Sequence, residues 1–134
     1  MKLEEFMTNK IVYIDADGSV YDAIEKMVDR RIHSLVVRFP GKETEHGVIT
    51  ARDIVFRALA KGINPKDIKV SEIASKPLVC VDLNMTLDDV TRIMEENNIT
   101  RTFVCERGKI IGVISLLDLM AATLIIRARG DYVT

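Results

Sequence analysis

Gly47-Val48-Ile49-Thr50-Ala51-Arg52-Asp53-Ile54 returns later in the chain as Gly112-Val113-Ile114-Ser115-Leu116-Leu117-Asp118-Leu119. Each copy reads as a short buried strand that stops at a hydroxyl residue and turns directly into a helix. The acid three residues on sets Asp53 beside Thr50 and Asp118 beside Ser115, both at a helix N-terminus. That end carries free N–H groups and the positive end of the helix dipole. It suits a phosphate, a ribose hydroxyl or a plain cap. Hydroxyl-x-x-acid is also the capping-box spacing, and Ser19-x-x-Asp22 and Thr86-x-x-Asp89 share it, so spacing alone does not choose. What sets the two third-strand pairs apart is their place after Gly-apolar-apolar, where a strand end is expected to open on a cleft.

Working outward, the whole chain is one unit written twice. Asp22 maps on Asp89, and the same step of about 67 residues takes Val20 to Leu87, Met27 to Met94, Ile32 to Ile99 and Val37 to Val104. Gly47 to Gly112 is a shorter step, so the first copy is longer between its second and third strands. The stretch 39–45 is expected to absorb the difference as a loop. The repeats are set at 1–62 and 70–134, with 63–69 as a linker that Pro65 keeps from being continuous helix.

Within each copy the order is strand, helix, strand, strand, helix. Ile11-Val12-Tyr13-Ile14 and Leu78-Val79-Cys80-Val81 are the first strands. Val20, Ala23, Ile24, Met27 and Val28 mark one face of a helix, as Leu87, Val90 and Met94 do in the second copy. Ser34–Arg38 with 46–50, and Thr102–Cys105 with 110–114, form hairpins. Helices follow from Ala51 to about Lys61 and from Leu116 to about Ala128. The fold class is α/β (α+β): two βαββα repeats, each too small to bury its sheet alone, expected to pack about a pseudo-twofold axis.

Composition narrows the function. The chain has 134 residues, 48% of them apolar and 29% charged, with a net charge of −1. That balance disfavours nucleic acid or an anionic membrane as partner, and no apolar run is long enough for a membrane span. A cytoplasmic location is expected. Cys80 and Cys105 are too few and too far from any His for a zinc site or a disulfide framework, and are expected to be small buried side chains. His33 and His46 are isolated, so no metal site is expected. There is no Ser/His/Asp set and no phosphate-cradling glycine loop, and the chain is not expected to be an enzyme.

Taken together, 19–27, 32–37 and 47–54, matched by 86–94, 99–104 and 112–119, resemble the CBS domain, named for cystathionine β-synthase and nearly always found as a tandem pair. The resemblance covers essentially the whole chain. It implies a regulatory module that binds adenosine-containing ligands (AMP, ADP or ATP) in the cleft between repeats, with no catalytic cofactor. Carried over by position, it assigns Asp53 and Asp118 to the ribose hydroxyls and Thr50 and Ser115 to ribose or phosphate. The start of the second strand, where the family often carries a basic residue facing phosphate, holds His33 and Ser34 in one copy and Thr100 and Arg101 in the other. Arg101 is the better phosphate contact, because a guanidinium forks two oxygens, and the two sites look unequal.

The helices after Thr50 and Ser115 carry more apolar surface than their own sheets need. Ile54, Val55, Ala58 and Leu59 match Leu119, Met120, Thr123 and Leu124, and Leu116, Leu117, Ile125 and Ile126 widen the final helix. A homodimer through these two helices is expected, with an unknown regulated protein as further partner. Two alternatives stay open. One is a dimerising scaffold without a physiological nucleotide; the other is a sensor of S-adenosylmethionine or a dinucleotide, since the ribose anchor is common to all.

Overall fold

The computed structural model describes residues 2–130 and divides into two compact units. One holds residues 12–78, the other residues 2–11 with 79–130. These units are not the sequence repeats. The segment that opens each repeat ahead of its first strand, its lead-in (3–8 in the first, 70–75 in the second), packs on the sheet of the other repeat, so a cut at 62/70 divides the sequence but not the cores.

In the 12–78 unit, β1 (Tyr13–Asp15) runs parallel to β2 (Ser34–Phe39), which pairs antiparallel with β3 (Lys42–Thr50). Helix α1 (Val20–Arg30) is capped by Ser19, whose hydroxyl accepts from the Asp22 N–H at 3.0 Å. It buries Val20, Ala23 and Met27 against Ile14, Leu35, Val37 and Ile49, while Val28 lies outside the buried stripe at 69% exposed. The expected loop over 39–45 is mostly strand. Pro40-Gly41 makes the turn, β3 begins at Lys42, and the register slips between Arg38 and Phe39. The extra residues of the first copy are taken up as a bulge in the ladder, between the Arg38–His46 and Phe39–Lys42 pairs. Helix α2 (Ala51–Arg57) is shorter than its periodicity suggests; Ala58 breaks it, and a separate 3-10 turn covers Leu59–Lys61. After a turn at Pro65–Asp67, the short α3 (Val70–Ile73) inserts Val70 and Ile73 into this core.

The second unit repeats the topology with β4 (Cys80–Asp82), α4 (Leu87–Glu96), β5 (Arg101–Glu106), β6 (Lys109–Ser115) and α5 (Leu116–Ala128). Its core joins Val81, Val90, Met94, Val104, Ile114 and Ala122 to Leu3 and Phe6 from the start of the chain.

Each third strand also takes a backbone bridge from the incoming lead-in. Ser75 and Val48 exchange N–H···O bonds of 2.9 Å in one unit, and Thr8 and Val113 exchange bonds of 3.0 and 2.8 Å in the other. This explains the glycine that opens each motif. A Cβ on Gly47 would stand 2.6 Å from the Ser75 carbonyl oxygen, and one on Gly112 would stand 2.5 Å from Met7 Sδ. The glycine makes room for a crossing chain.

The cysteines depart from expectation. Cys80 and Cys105 are joined by a disulfide, and Cys80 is exposed, not buried. Alternation along β4 turns Val81 into the core and Cys80 away from it, and the parallel register carries Cys105 to the same face.

Candidate functional site

Thr50 and Ser115 are each the last residue of a third strand and the N-cap of the helix that follows. Both capping boxes close. Thr50 Oγ1 accepts from the Asp53 N–H at 3.1 Å, and Asp53 Oδ2 accepts from the Thr50 N–H at 3.0 Å. Ser115 Oγ accepts from the Asp118 N–H at 3.2 Å, and Asp118 Oδ2 accepts from the Ser115 N–H at 2.8 Å and from the Ser115 hydroxyl at 3.0 Å. The cap is therefore present at both places, and equally at Thr86/Asp89. It uses one oxygen of each carboxylate. An ionised carboxylate offers about four lone-pair sites on its two oxygens, so capping and accepting from a ligand hydroxyl draw on different capacity.

The second oxygen distinguishes the two motifs. Asp53 Oδ1 lies 3.9 Å from Arg57 Nε, one turn along the same helix, and Arg57 is itself anchored by donating to the Ile73 carbonyl at 3.0 Å. The residue one turn after Asp118 is Ala122, buried in the core, and among the described residues Asp118 Oδ1 makes no hydrogen bond or ion pair.

The basic residues differ likewise. In the β5–β6 register Arg101 stands opposite Ser115, as Ser34 stands opposite Thr50. Arg101 is half-buried, and burial pushes its guanidinium below the ordinary arginine range, with the Asp118 carboxylate opposing that fall. Among the described residues no carboxylate reaches ion-pair distance of it. A desolvated cation without a closed ion pair is costly to keep, unless an anion comes to it. His33 is exposed and contributes its carbonyl, which accepts from the Ala51 N–H at 2.9 Å. So Arg101, Ser115 and Asp118 are gathered at one helix end. Thr50 and Asp53 are gathered at the other, with His33 tied there by its backbone.

A hollow of about 460 Å³ in the second unit contains none of these residues. It is lined by Lys2, Glu4, the 83–86 turn, the first two residues of α4 and Ile126. Lys76, the basic residue before the second repeat's first strand, is occupied by Glu45 at 3.2 Å and lies over the Phe39 ring. What sequence reasoning missed at the site is Arg57. Its spacing four residues after Asp53 was the available signal.

The pattern of the CBS domain matches residues 3–60 and 70–124. The chain belongs to the CBS domain family and carries the domain twice, the arrangement of a regulatory, ligand-binding module. It is 33% identical over 113 residues to an uncharacterised protein of Methanocaldococcus jannaschii, covering 83% of this chain and 60% of that one. Among solved structures, a hexameric CBS-CP12 protein from bloom-forming cyanobacteria superposes with a TM-score of 0.86 at 28% identity, covering 95% of this chain and 73% of that one. An uncharacterised conserved protein of Pyrococcus horikoshii gives a TM-score of 0.80 at 32% identity, covering 91% of each chain. The mixed α+β fold with two three-stranded sheets is that of these neighbours. No helix among the described residues is long and apolar enough to cross a membrane.

Proposed function

We propose that the chain is a non-enzymatic sensor of adenosine-containing ligands (AMP, ADP or ATP), held chiefly by Ser115, Asp118 and Arg101, with Thr50, Asp53 and His33 forming a weaker second site. The observation that carries this reading is the half-buried Arg101 guanidinium, without a closed ion pair among the described residues, beside a capping aspartate whose second oxygen has no partner among them. Ribose hydroxyls would donate to Asp118, and phosphate oxygens would take Arg101 in a forked pair. A nucleotide that binds one conformation better than another shifts the population, and a regulated protein reads the shift.

Calorimetry with AMP, ADP and ATP tests it. Asp118→Asn, which keeps an oxygen to cap α5, and Arg101→Ala should each weaken the tighter site at least tenfold, about 1.4 kcal/mol. An unchanged Kd in both variants rejects the assignment, and absence of heat with any adenosyl ligand at millimolar concentration favours the scaffold reading.

That second reading has its own support. Helix α5 exposes Leu116, Leu117, Met120, Leu124 and Ile125, with Leu117 and Leu124 about 70% exposed. Helix α2 exposes Val55 and Phe56, and the 3-10 turn after it exposes Leu59, whereas Ile54 and Ala58, also expected on this face, are buried. Apolar helix faces of this kind fit a homodimer. Sedimentation should give twice the chain mass at micromolar concentration, and a monomer there removes the dimer from either reading.

A further inference from the structure

The two units fasten their first strand to their second at equivalent positions, but by different chemistry. Tyr13 and Arg38 occupy the places that Cys80 and Cys105 hold 67 residues later. The ladders agree, with Asp15 opposite Arg38 and Asp82 opposite Cys105. In the 12–78 unit the Arg38 guanidinium stacks over the Tyr13 ring, 3.8 Å from its centre. In the other unit the pair is a disulfide.

We propose that Cys80–Cys105 is a reversible thiol–disulfide clamp that sets how firmly β4 is held to its sheet. Three features point to a switch and not a fixed staple. The fold closes this position without a covalent bond in its sister unit. The bond sits outside the core formed by Val81, Val90, Met94, Val104 and Ile114, so packing survives its loss. Cys80 is exposed, which gives an incoming thiolate access to one of the two sulfurs. The clamp also acts on a weak element, because β4 is a three-residue edge strand hydrogen-bonded on one side only.

The exchange partner is a small-molecule disulfide, RSSR, such as oxidised glutathione. The Cys80 thiolate attacks one sulfur of RSSR and expels RS⁻. The Cys105 thiolate then attacks Cys80 Sγ in the mixed disulfide and expels the second RS⁻. Two electrons pass from the protein dithiol to RSSR, and the two protons end on two RSH. Excess thiol runs the same steps backwards.

The test uses the full chain equilibrated in a series of reduced-to-oxidised glutathione buffers, then alkylated and peptide-mapped by mass spectrometry. Intermediate buffers should give mixtures of one intrachain Cys80–Cys105 disulfide and two alkylated thiols, the same from either direction. Amide exchange over 79–82 should quicken on reduction. The melting temperature should fall by roughly 10 °C, the order expected for opening a loop of 25 residues in a small domain. Cys80→Ser should melt at the reduced wild-type temperature and ignore the buffer. Thiols that stay alkylatable at every ratio overturn the proposal, as does a bond in the folded chain that resists a large excess of thiol. Cross-linking between chains in place of the intrachain bond overturns it too.

Discussion

Asp53 and Asp118 each return one carboxylate oxygen to the N–H of the residue that ends their strand, but their second oxygens meet different surroundings. At Asp53 an arginine one turn along the helix takes up the charge, and the neighbouring basic residue, His33, is exposed. At Asp118 that turn is a buried alanine, and the basic residue is a half-buried arginine that makes no ion pair among the described residues. Among the described residues, the same eight-residue pattern therefore yields one motif whose aspartate has an arginine 3.9 Å from its second oxygen and one whose aspartate and arginine each lack an ion pair. Capping is common to both and explains the spacing. A claim on a ligand rests on what lies beyond the cap, and there the two copies part.

The strongest way to break that difference is to give the first copy what it lacks. Ser34 stands where Arg101 stands in the second copy, at the start of the middle strand and opposite the capping hydroxyl. Ser34→Arg should raise nucleotide affinity at the Thr50/Asp53 site by about tenfold, the low end for a charge-assisted phosphate pair. Calorimetry of Ser34→Arg combined with Asp118→Asn reads this site with the other weakened. If the double variant binds no better than Asp118→Asn alone, position on the strand does not make the phosphate contact, and the account of Arg101 weakens with it.

How much of this could be read from the chain depends on which interactions are local. Periodicity and caps are local, so α1, α4, α5 and the strand–helix junctions at Thr50 and Ser115 follow from neighbours in sequence. The bulge at Arg38/Phe39 was not legible, because its signal is a register mismatch between strands; a two-residue excess in one repeat reads as well as a loop. The exchange of lead-ins was hidden for the same reason. Leu3 and Phe6 look like core residues, but nothing local says whose core. The disulfide joins residues 25 apart with no spacing signature; only the parallel register places them on one face. Arg101's isolation is a statement about absent neighbours, and a sequence does not display those.

A second, smaller effect sharpens the comparison at the glycines. Gly47 is crowded by a backbone atom, the Ser75 carbonyl oxygen, with the Phe39 ring edge at 3.1 Å behind it. Gly112 is crowded first by Met7, a flexible side chain, with the Thr8 carbonyl oxygen next at 3.1 Å. A methyl group can push a thioether aside more cheaply than a hydrogen-bonded backbone. Gly47→Ala should therefore cost about 1 kcal/mol more than Gly112→Ala in urea unfolding. Equal costs would mean that the lead-in bridge at Ser75 yields as readily as Met7.

The smallest effect concerns the caps of α1 and α4, where the repeats also differ. Thr86 and Asp89 close a full box, each accepting from the other's N–H at 3.2 Å. Ser19 accepts from Asp22, but no return bond from the Asp22 carboxylate is made, and the backbone at Ser19 is bridged instead to Lys69 from the inserted lead-in. The Thr86 N–H, then its hydroxyl, hold the Asp89 carboxyl below the ordinary aspartate range. A carboxylate whose pKa is lower folded than unfolded adds stability that is fully present above its unfolded pKa, about 3.9, and is lost as pH falls through the folded value. Asp89→Asn should thus lower the melting temperature slightly at pH 7, and the deficit against wild type should shrink below pH 4 as the wild-type carboxylate is protonated. Asp22→Asn, which breaks no side-chain bond, should leave it unmoved at pH 7. Melting curves of the three proteins from pH 7 to pH 3 decide between this and a box whose two halves contribute nothing beyond the hydroxyl cap, in which case both Asn variants track wild type throughout.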